Sequence, residues 1–170
     1  MIFLGLGSNL SSKFGDRFTN INLVISSLEG YGIKVIKKSS FYETPSYPNE
    51  ENPKFINIVI LIETTLSPVD LMSVLIFIEE KLGRIRDKKN DPRTCDIDII
   101  DYNSQILKLR YNNLDLTVPH KELTTRNFIL FPLQEISQKW QHPKTKEIIS
   151  DLQQKLSEDD KNSILMIDKN

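Results

Sequence analysis

The sequence predicts an α+β sandwich of the ferredoxin-like type, a mostly antiparallel sheet with helices packed on it. Apolar periodicity reads as strand, helix, strand, strand, helix, strand, with extra strands and helices toward the C-terminus. Between the second and third strands stand only residues 45–53, where Pro45, Pro48 and Pro53 lie among Asn and Glu. A doubly wound parallel sheet needs a crossover helix there, and a proline-rich loop cannot supply one. No repeat, low-complexity tract or flexible linker divides the chain, so residues 1–170 are expected to form a single domain.

Each element has its own warrant. Ile2 to Leu6 is an apolar run closed by Gly7, Ser8 and Asn9, hence a strand and a turn. Phe14, Phe18, Ile21, Val24, Ile25 and Leu28 recur at helical spacing, and Gly30 marks the stop. Ile33 to Phe41 is a second strand, broken at Thr44-Pro45. In Phe55 to Thr64 the isoleucines at 56, 58, 60 and 62 share one face, which is buried, while Phe55, Asn57 and Val59 look the other way. Ser67-Pro68-Val69-Asp70 starts a helix, with a capping hydroxyl, a proline in the first turn and an acid against the dipole. Leu71, Val74, Leu75, Ile78 and Leu82 form its stripe, and Gly83 ends it. Cys95 to Tyr102 is a strand, Asn103-Ser104 suggests a hairpin into Gln105 to Leu109, and Leu114 to Val118 is another short strand. Residues 127–136 and 147–156 read as helices, with Pro132 expected to bend or limit the first.

Charge narrows the function classes. Twenty-two Lys and Arg against 23 Asp and Glu leave a net charge of −1, which argues against a general duplex nucleic-acid binder. The longest apolar runs are too short to span a bilayer, and no basic residue precedes the apolar N-terminus as in a secretory signal. A lone cysteine, Cys95, excludes an internal disulfide framework and a thiolate zinc cluster. The expectation is a cytoplasmic monomer with no nucleic-acid or membrane partner. Arginine is scarce, 6 against 16 Lys, yet Arg84, Arg86, Arg93 and Arg126 fall in the middle of the chain. Their planar forks grip phosphate or carboxylate bidentately, which an ammonium cannot do.

The sharpest chemical feature is Asp96-Ile97-Asp98 within a strand. Alternation puts both carboxylates on one face, at Cα positions about 7 Å apart. They are either a solvated outer face or the ligands of a hard divalent cation that removes their repulsion. Arg93 just upstream and Arg84 and Arg86 past the helix end tilt the reading toward phosphoryl chemistry, against plain surface ion pairing. His120 follows Pro119 at a strand end, exposed or ligand-facing. Asn57 could read a heterocycle edge, and Phe55 beside it is core or a stacking platform. His142 has no comparable context. No Walker loop, protein-kinase signature or dinucleotide fingerprint is present.

These motifs together resemble the 6-hydroxymethyl-7,8-dihydropterin pyrophosphokinases of folate biosynthesis, essentially end to end. The matching blocks are Gly7-Ser8-Asn9-Leu10, Ser39 to Pro45, Phe55-Ile56-Asn57, Ile78-Glu79, Gly83 to Arg86, Pro92 to Asp98, Val118-Pro119-His120 and Arg126-Asn127-Phe128. The resemblance implies transfer of the β,γ-pyrophosphoryl group of ATP to the pterin hydroxymethyl oxygen, with release of AMP. It implies that Asp96 and Asp98 hold two magnesium ions, with ATP as co-substrate, while Arg84 and Arg93 grip the phosphates and act in catalysis. Arg86, Thr117, His120 and Arg126 fall at ATP-contacting positions, Glu79 and Ile99 line the nucleotide side, and Lys121 could add a phosphate contact. For the pterin, Asn57 would read the ring edge with Thr44 and backbone from Pro45 to Tyr47. Phe55 and Phe128 would sandwich the ring, with Asp96 at its border. The polar loops at 45–54 and 87–92 would close as lids.

Departures from the family pattern also stand in the sequence. Asn90-Asp91 replaces an aromatic-glycine pair, and Asp115 stands where some members carry an arginine near ATP. The rival reading is a non-catalytic ferredoxin-like module that binds a ligand or RNA. An RNA reader needs a basic surface, whereas an acidic pair on a strand repels phosphate unless a metal intervenes.

Overall fold

The computed structural model describes residues 1–85, 91–111 and 114–167. Alternation of large apolar residues builds the sheet from β1 (Ile2–Ser8), β2 (Lys34–Lys38), β3 (Phe41–Thr44), β4 (Phe55–Glu63), β5 (Asp96–Tyr102) and a short β8 (Leu165–Ile167). Its order is β5-β1-β4-β3-β8, with β2 also pairing with β4, and the pairs are antiparallel. Helix α1 (Arg17–Glu29) connects β1 to β2 across β4, and α2 (Pro68–Lys81) connects β4 to β5 across β1. This is the ferredoxin-like arrangement that the element order predicts.

Both faces of the sheet are covered. The isoleucine-rich face, with Leu4, Leu6, Ile56, Ile58, Ile60, Ile62, Ile97 and Ile99, packs on Ile21, Val24 and Leu28 of α1 and on Leu71, Leu75 and Ile78 of α2. Phe3, Val59 and Ile100 on the other face pack under α3 (Asn127–Ile136) and α4 (Ile149–Gln154), with Leu130, Leu133, Trp140 and Leu152. Full burial of each such side chain contributes about 1.5–3 kcal/mol against exposure. The second cover reaches only part of its face, and the remainder carries the polar residues described below.

Departures from the expected elements have local causes. Helix α1 begins at Arg17 because the Asp16 carboxylate accepts the Thr19 N–H at 2.8 Å as its cap, leaving Phe14 outside and half exposed. The expected strand at 33–41 is split into β2 and β3 at Ser39, whose hydroxyl accepts the Val59 N–H at 3.0 Å in place of a main-chain partner. The turn at Asn103-Ser104 forms, with φ of 52° and 57°. It does not make the expected hairpin: β6 (Leu107–Tyr111) pairs instead with β7 (Leu114–Val118) as a separate ribbon. Leu107, Leu116 and Val118 draw that ribbon onto the α2 side of the core. Helix α3 runs through Pro132, which has no N–H to bond to the Phe128 carbonyl. The helix expected at 147–156 is confined to α4. After it come α5 (Glu158–Asn162), which has no apolar stripe, and β8, which forms on the short apolar run Ile164 to Ile167, outside the expected elements.

Candidate active site

Strand register assembles the site. Gly7 is paired with Asp96 on one side and with Asn57 on the other, Gly5 with Asp98, Asn57 with Tyr42, and Phe55 with Thr44. Directly paired residues share a face, so Asp96, Asp98, Asn57, Phe55 and Thr44 project together, away from the isoleucine face. Between the acidic strand and β4, β1 contributes two glycines. A Cβ on Gly7 would lie 3.1 Å from Asn57 Oδ1 and 3.6 Å from the Phe55 ring, so only glycine leaves this trough open without displacing its walls.

Arginines converge on the two carboxylates. Arg93 Nη2 lies 2.6 Å from Asp96 Oδ2, and Arg84 pairs with both Asp96 and Glu79. Arg84 is delivered by the end of α2. Gly83 at φ 84° turns the chain so that the Arg84 N–H returns to the Glu79 carbonyl at 3.0 Å. The buried Glu79 carboxylate also accepts the Ile97 N–H at 2.7 Å, which ties the helix end to the start of β5. Arg126, at the start of α3, donates to Asp98 at 3.2 Å and to Glu122 at 2.7 Å. The guanidinium of Arg93 lies over the Phe55 ring at 4.9 Å, and that of Arg126 over Phe128 at 5.4 Å.

These contacts split the two acids. Burial opposes ionisation of Asp96, but Arg93 and Arg84 outweigh it and hold the carboxyl below its ordinary value. Burial and then the neighbouring Asp96 charge push Asp98 above its ordinary value, against the pull of His120 and Arg126. Burial lowers the His120 imidazole although Asp98 draws it up, and its Nδ1 accepts the Glu122 N–H at 3.2 Å. Arg84 is raised: Asp96 and Glu79 overcome its burial. A half-buried acid that resists ionisation beside another acid is what a hard divalent cation would stabilise, and the two carboxylates are oxygen donors of the right kind. Among the described residues no cluster of three or more His, Cys, Asp or Glu forms a metal cage. Magnesium commonly takes only one or two carboxylates and completes its shell with water and substrate phosphate, so the donor set fits it.

The remaining predicted residues sort by position. Asn57 is buried and donates to the Thr44 hydroxyl at 3.0 Å, with Pro45 following at the end of β3. Phe128 is half-buried at the rim of the second core. Thr117 is half-buried on β7 and Lys121 is exposed. Tyr47, 85 % exposed, projects from the 45–54 loop. The Ile99 side chain points into the opposite core, 3 % exposed, which leaves its main chain to face the site. Asp115 pairs with the exposed Arg110 at 3.6 Å. Arg86 and residues 87–90 of the second expected lid lie outside the described residues. His142 is structural, its Nδ1 accepting the Lys144 and Thr145 N–H groups.

Asn9 carries more than its turn-like sequence suggests. Its amide donates to Ser46 Oγ at 3.3 Å and to the Pro53 carbonyl at 3.1 Å, and its Oδ1 accepts the Arg93 N–H at 2.7 Å. The Asn9 and Leu10 N–H groups both reach the Arg93 carbonyl at 3.1 Å, and Ser8 Oγ reaches that of Thr94 at 2.7 Å. One side chain thereby fixes both ends of the 45–54 loop and the base of Arg93. A Gly-Ser-Asn run after a strand reads as a turn, and only distant partners distinguish the two cases.

Fold and site define a class: a ferredoxin-like α+β protein with an arginine-bound carboxylate pair facing an amide and an aromatic across a glycine trough. Residues 3–138 match the sequence model of the 7,8-dihydro-6-hydroxymethylpterin-pyrophosphokinase (HPPK) family, and the chain belongs to that family. It is 36 % identical over 137 residues to the 2-amino-4-hydroxy-6-hydroxymethyldihydropteridine pyrophosphokinase of Bacillus subtilis, covering 80 % of this chain and 77 % of that one. Over 155 residues it is 36 % identical to the folic acid synthesis protein fol1 of Schizosaccharomyces pombe, with 91 % of this chain but only 20 % of that protein covered. The chain therefore spans about a fifth of the length of such fungal relatives. The crystal structure of wild-type Plasmodium falciparum HPPK-DHPS shares the fold, with a TM-score of 0.71 at 17 % identity over 91 % of this chain and 44 % of that one.

Proposed function

We propose that this chain, as a single domain over residues 1–170, transfers the β,γ-pyrophosphoryl group of ATP to the hydroxymethyl oxygen of 6-hydroxymethyl-7,8-dihydropterin, releasing AMP. The observation that carries the reading is the convergence of Arg84, Arg93 and Arg126 on Asp96 and Asp98, across the Gly7 trough from Asn57 and Phe55. The relatives' names specify the pterin and the transfer.

In the reaction the hydroxymethyl oxygen bonds to the β-phosphorus. The bond from that phosphorus to the α–β bridging oxygen breaks, AMP leaves with the oxygen, and the hydroxyl proton passes to water. Asp96 and Asp98 would hold two magnesium ions, which neutralise phosphate charge when bound. The forks now held by Asp96 and Asp98 exchange these carboxylates for phosphate oxygens, and Arg84 and Arg93 stabilise the charge that shifts toward the leaving AMP. Arg86, Thr117, His120, Lys121 and Arg126 serve the nucleotide, with Glu79 holding Arg84 in place and Ile99 offering main chain. Asn57 and Thr44 read the pterin edge with the backbone of Pro45 to Tyr47, while Phe55 and Phe128 stack on the ring once Arg93 has moved off Phe55. A primary alcohol is a weak nucleophile, so the barrier falls through positioning and charge, with no strong side-chain base required.

We further place the protein in the cytoplasm as a monomer acting on small molecules, with neither nucleic acid nor membrane as partner. Its near-balanced charge argues against a general nucleic-acid partner, and no helix among the described residues is long and apolar enough to cross a membrane. The test is product analysis with ATP, magnesium and the hydroxymethyl pterin. AMP formation, lost in Asp96→Ala and Asp98→Ala, supports the reading. ADP as product makes the protein a phosphoryl transferase, and absence of turnover with intact ligand binding supports the non-catalytic module.

A further inference from the structure

Residues 139–167 lie beyond the stretch that matches the family model, and the last two elements there have almost no core. Helix α5 buries none of its residues, and in β8 Leu165 and Met166 are 63 % and 53 % exposed. With so little apolar burial, hydrogen bonds must hold this segment. One set is the ladder of β8 on β3, with Phe41, Tyr42 and Glu43 opposite Ile167, Met166 and Leu165. The other is Asn127, a buried amide whose Nδ2 donates to the Asp160 carbonyl at 2.6 Å and to Ser163 Oγ at 3.0 Å. A carbonyl can only accept, so the amide orientation is fixed. Ser163 donates in turn to the same Asp160 carbonyl at 3.0 Å, and its N–H reaches the Asp159 carbonyl at 2.9 Å.

Asn127 stands between two site residues. Arg126 on one side reaches Asp98, and Phe128 on the other lies under the Arg126 guanidinium. The far end of the segment is ladder-bonded to β3, the strand that places Thr44 beside Asn57. Glu135 of α3 accepts from the Tyr42 hydroxyl at 2.9 Å and from the Ser40 N–H at 2.9 Å, closing a ring of α3, α5, β8 and β3.

We propose that residues 158–167 are a clasp that sets the spacing between Arg126–Phe128 and Thr44–Asn57, and that Asn127 is its positioning residue. Which ligands the clasp serves rests on the function proposed above; the clasp itself does not. In a site where stacking and edge recognition come from opposite ends of this ring, releasing one attachment loosens both ligand walls, while Asp96 and Asp98 keep their places on β5 and the Arg84 and Arg93 contacts to Asp96 remain.

The experiment uses the full chain and compares wild type with Asn127→Ala, Asn127→Asp and Ser163→Ala by hydrogen exchange, alongside KM and kcat for both substrates. Loss of the two amide bonds is expected to speed exchange over 158–167 and β3 by about tenfold or more. KM for pterin and ATP should rise several-fold while kcat stays within about twofold. Asn127→Asp should be worse than Asn127→Ala despite its matching size, because a carboxylate there faces the Asp160 carbonyl, which can only accept, and can gain the Ser163 hydroxyl only by breaking its bond to that carbonyl. Ser163→Ala, which leaves α3 intact, should show the same pattern more weakly. Unchanged exchange in Asn127→Ala, or an Asp variant as good as wild type, overturns the clasp. Faster exchange with unaltered KM overturns the positioning role. A wild type without pyrophosphoryl transfer overturns the functional reading, and the exchange comparison still decides the clasp.

Discussion

Glu79 offers a quantitative test of how the site is held. Its carboxylate is buried, accepts the Ile97 N–H at 2.7 Å and pairs with Arg84, whose side chain is 12 % exposed. Glu79→Gln keeps an oxygen for Ile97 but removes the charge that Arg84 faces. Hydrogen bonds to charged groups contribute about 1.5–3 kcal/mol each, so a loss of about 2 kcal/mol is expected. Glu79→Ala also orphans the Ile97 N–H and leaves Arg84 buried with less compensation. Breaking a buried pair by removing one partner costs about 3–5 kcal/mol, and we expect a value near the middle, about 4 kcal/mol. For a chain of this length each kcal/mol lowers Tm by about 2–4 °C, giving about 4–8 °C for Gln and about 8–16 °C for Ala. Urea unfolding followed by emission from Trp140, the single tryptophan, which sits in the second core, reads both variants. If both lie within about 0.5 kcal/mol of wild type, or Gln costs more than Ala, Glu79 is not the anchor of Arg84 and β5 described here.

Three further perturbations address separate parts of the account. Arg93→Lys should lower kcat at least about tenfold, because an ammonium cannot replace the fork that leaves Asp96 and Phe55 to grip phosphate during transfer; near-normal kinetics would show that geometry is not what Arg93 contributes. Gly7→Val fills the trough against Asn57 and Phe55 and should weaken pterin binding more than nucleotide binding, as measured by calorimetry with each ligand; equal losses would mean that the trough is not the pterin wall. Asp101→Ala removes the acceptor of the Trp140 indole N–H at 2.8 Å and of the Ser104 N–H at 2.8 Å, and should cost about 2–3 kcal/mol in denaturant unfolding; a neutral result would mean that the buried carboxylate contributes nothing to joining β5 to the second core.

Much of this molecule is legible along the chain because its signals are local. The isoleucine alternation of β4, the Ser67-Pro68 cap of α2 and the Gly83 stop all act within a few residues, and each forms where the pattern puts it. The facing of Asp96 and Asp98 follows from alternation alone. Once register is added, their alignment with Gly7, Gly5 and Asn57 follows too. Long-range choices escape the sequence. β6 takes β7 as its partner, not β5, because the ribbon's apolar side chains find the α2 side of the core. Ser39 breaks a strand through a bond to Val59, 20 residues away. Asn9 looks like an ordinary turn residue and Asn127 like the plain first residue of a helix until their buried amides meet partners at Ser46, Pro53, Asp160 and Ser163. Polar residues buried at such positions are satisfied from elsewhere in the chain, and no periodicity records that.

The most direct measurement is a crystal structure of the protein with magnesium, a non-hydrolysable ATP analogue and the hydroxymethyl pterin. We expect metal density on the oxygens of both Asp96 and Asp98, the Arg84 and Arg93 forks on phosphate, and the ring between Phe55 and Phe128 with its edge on Asn57. A triphosphate bound elsewhere, with the arginines still paired to Asp96 and Asp98, would contradict the account.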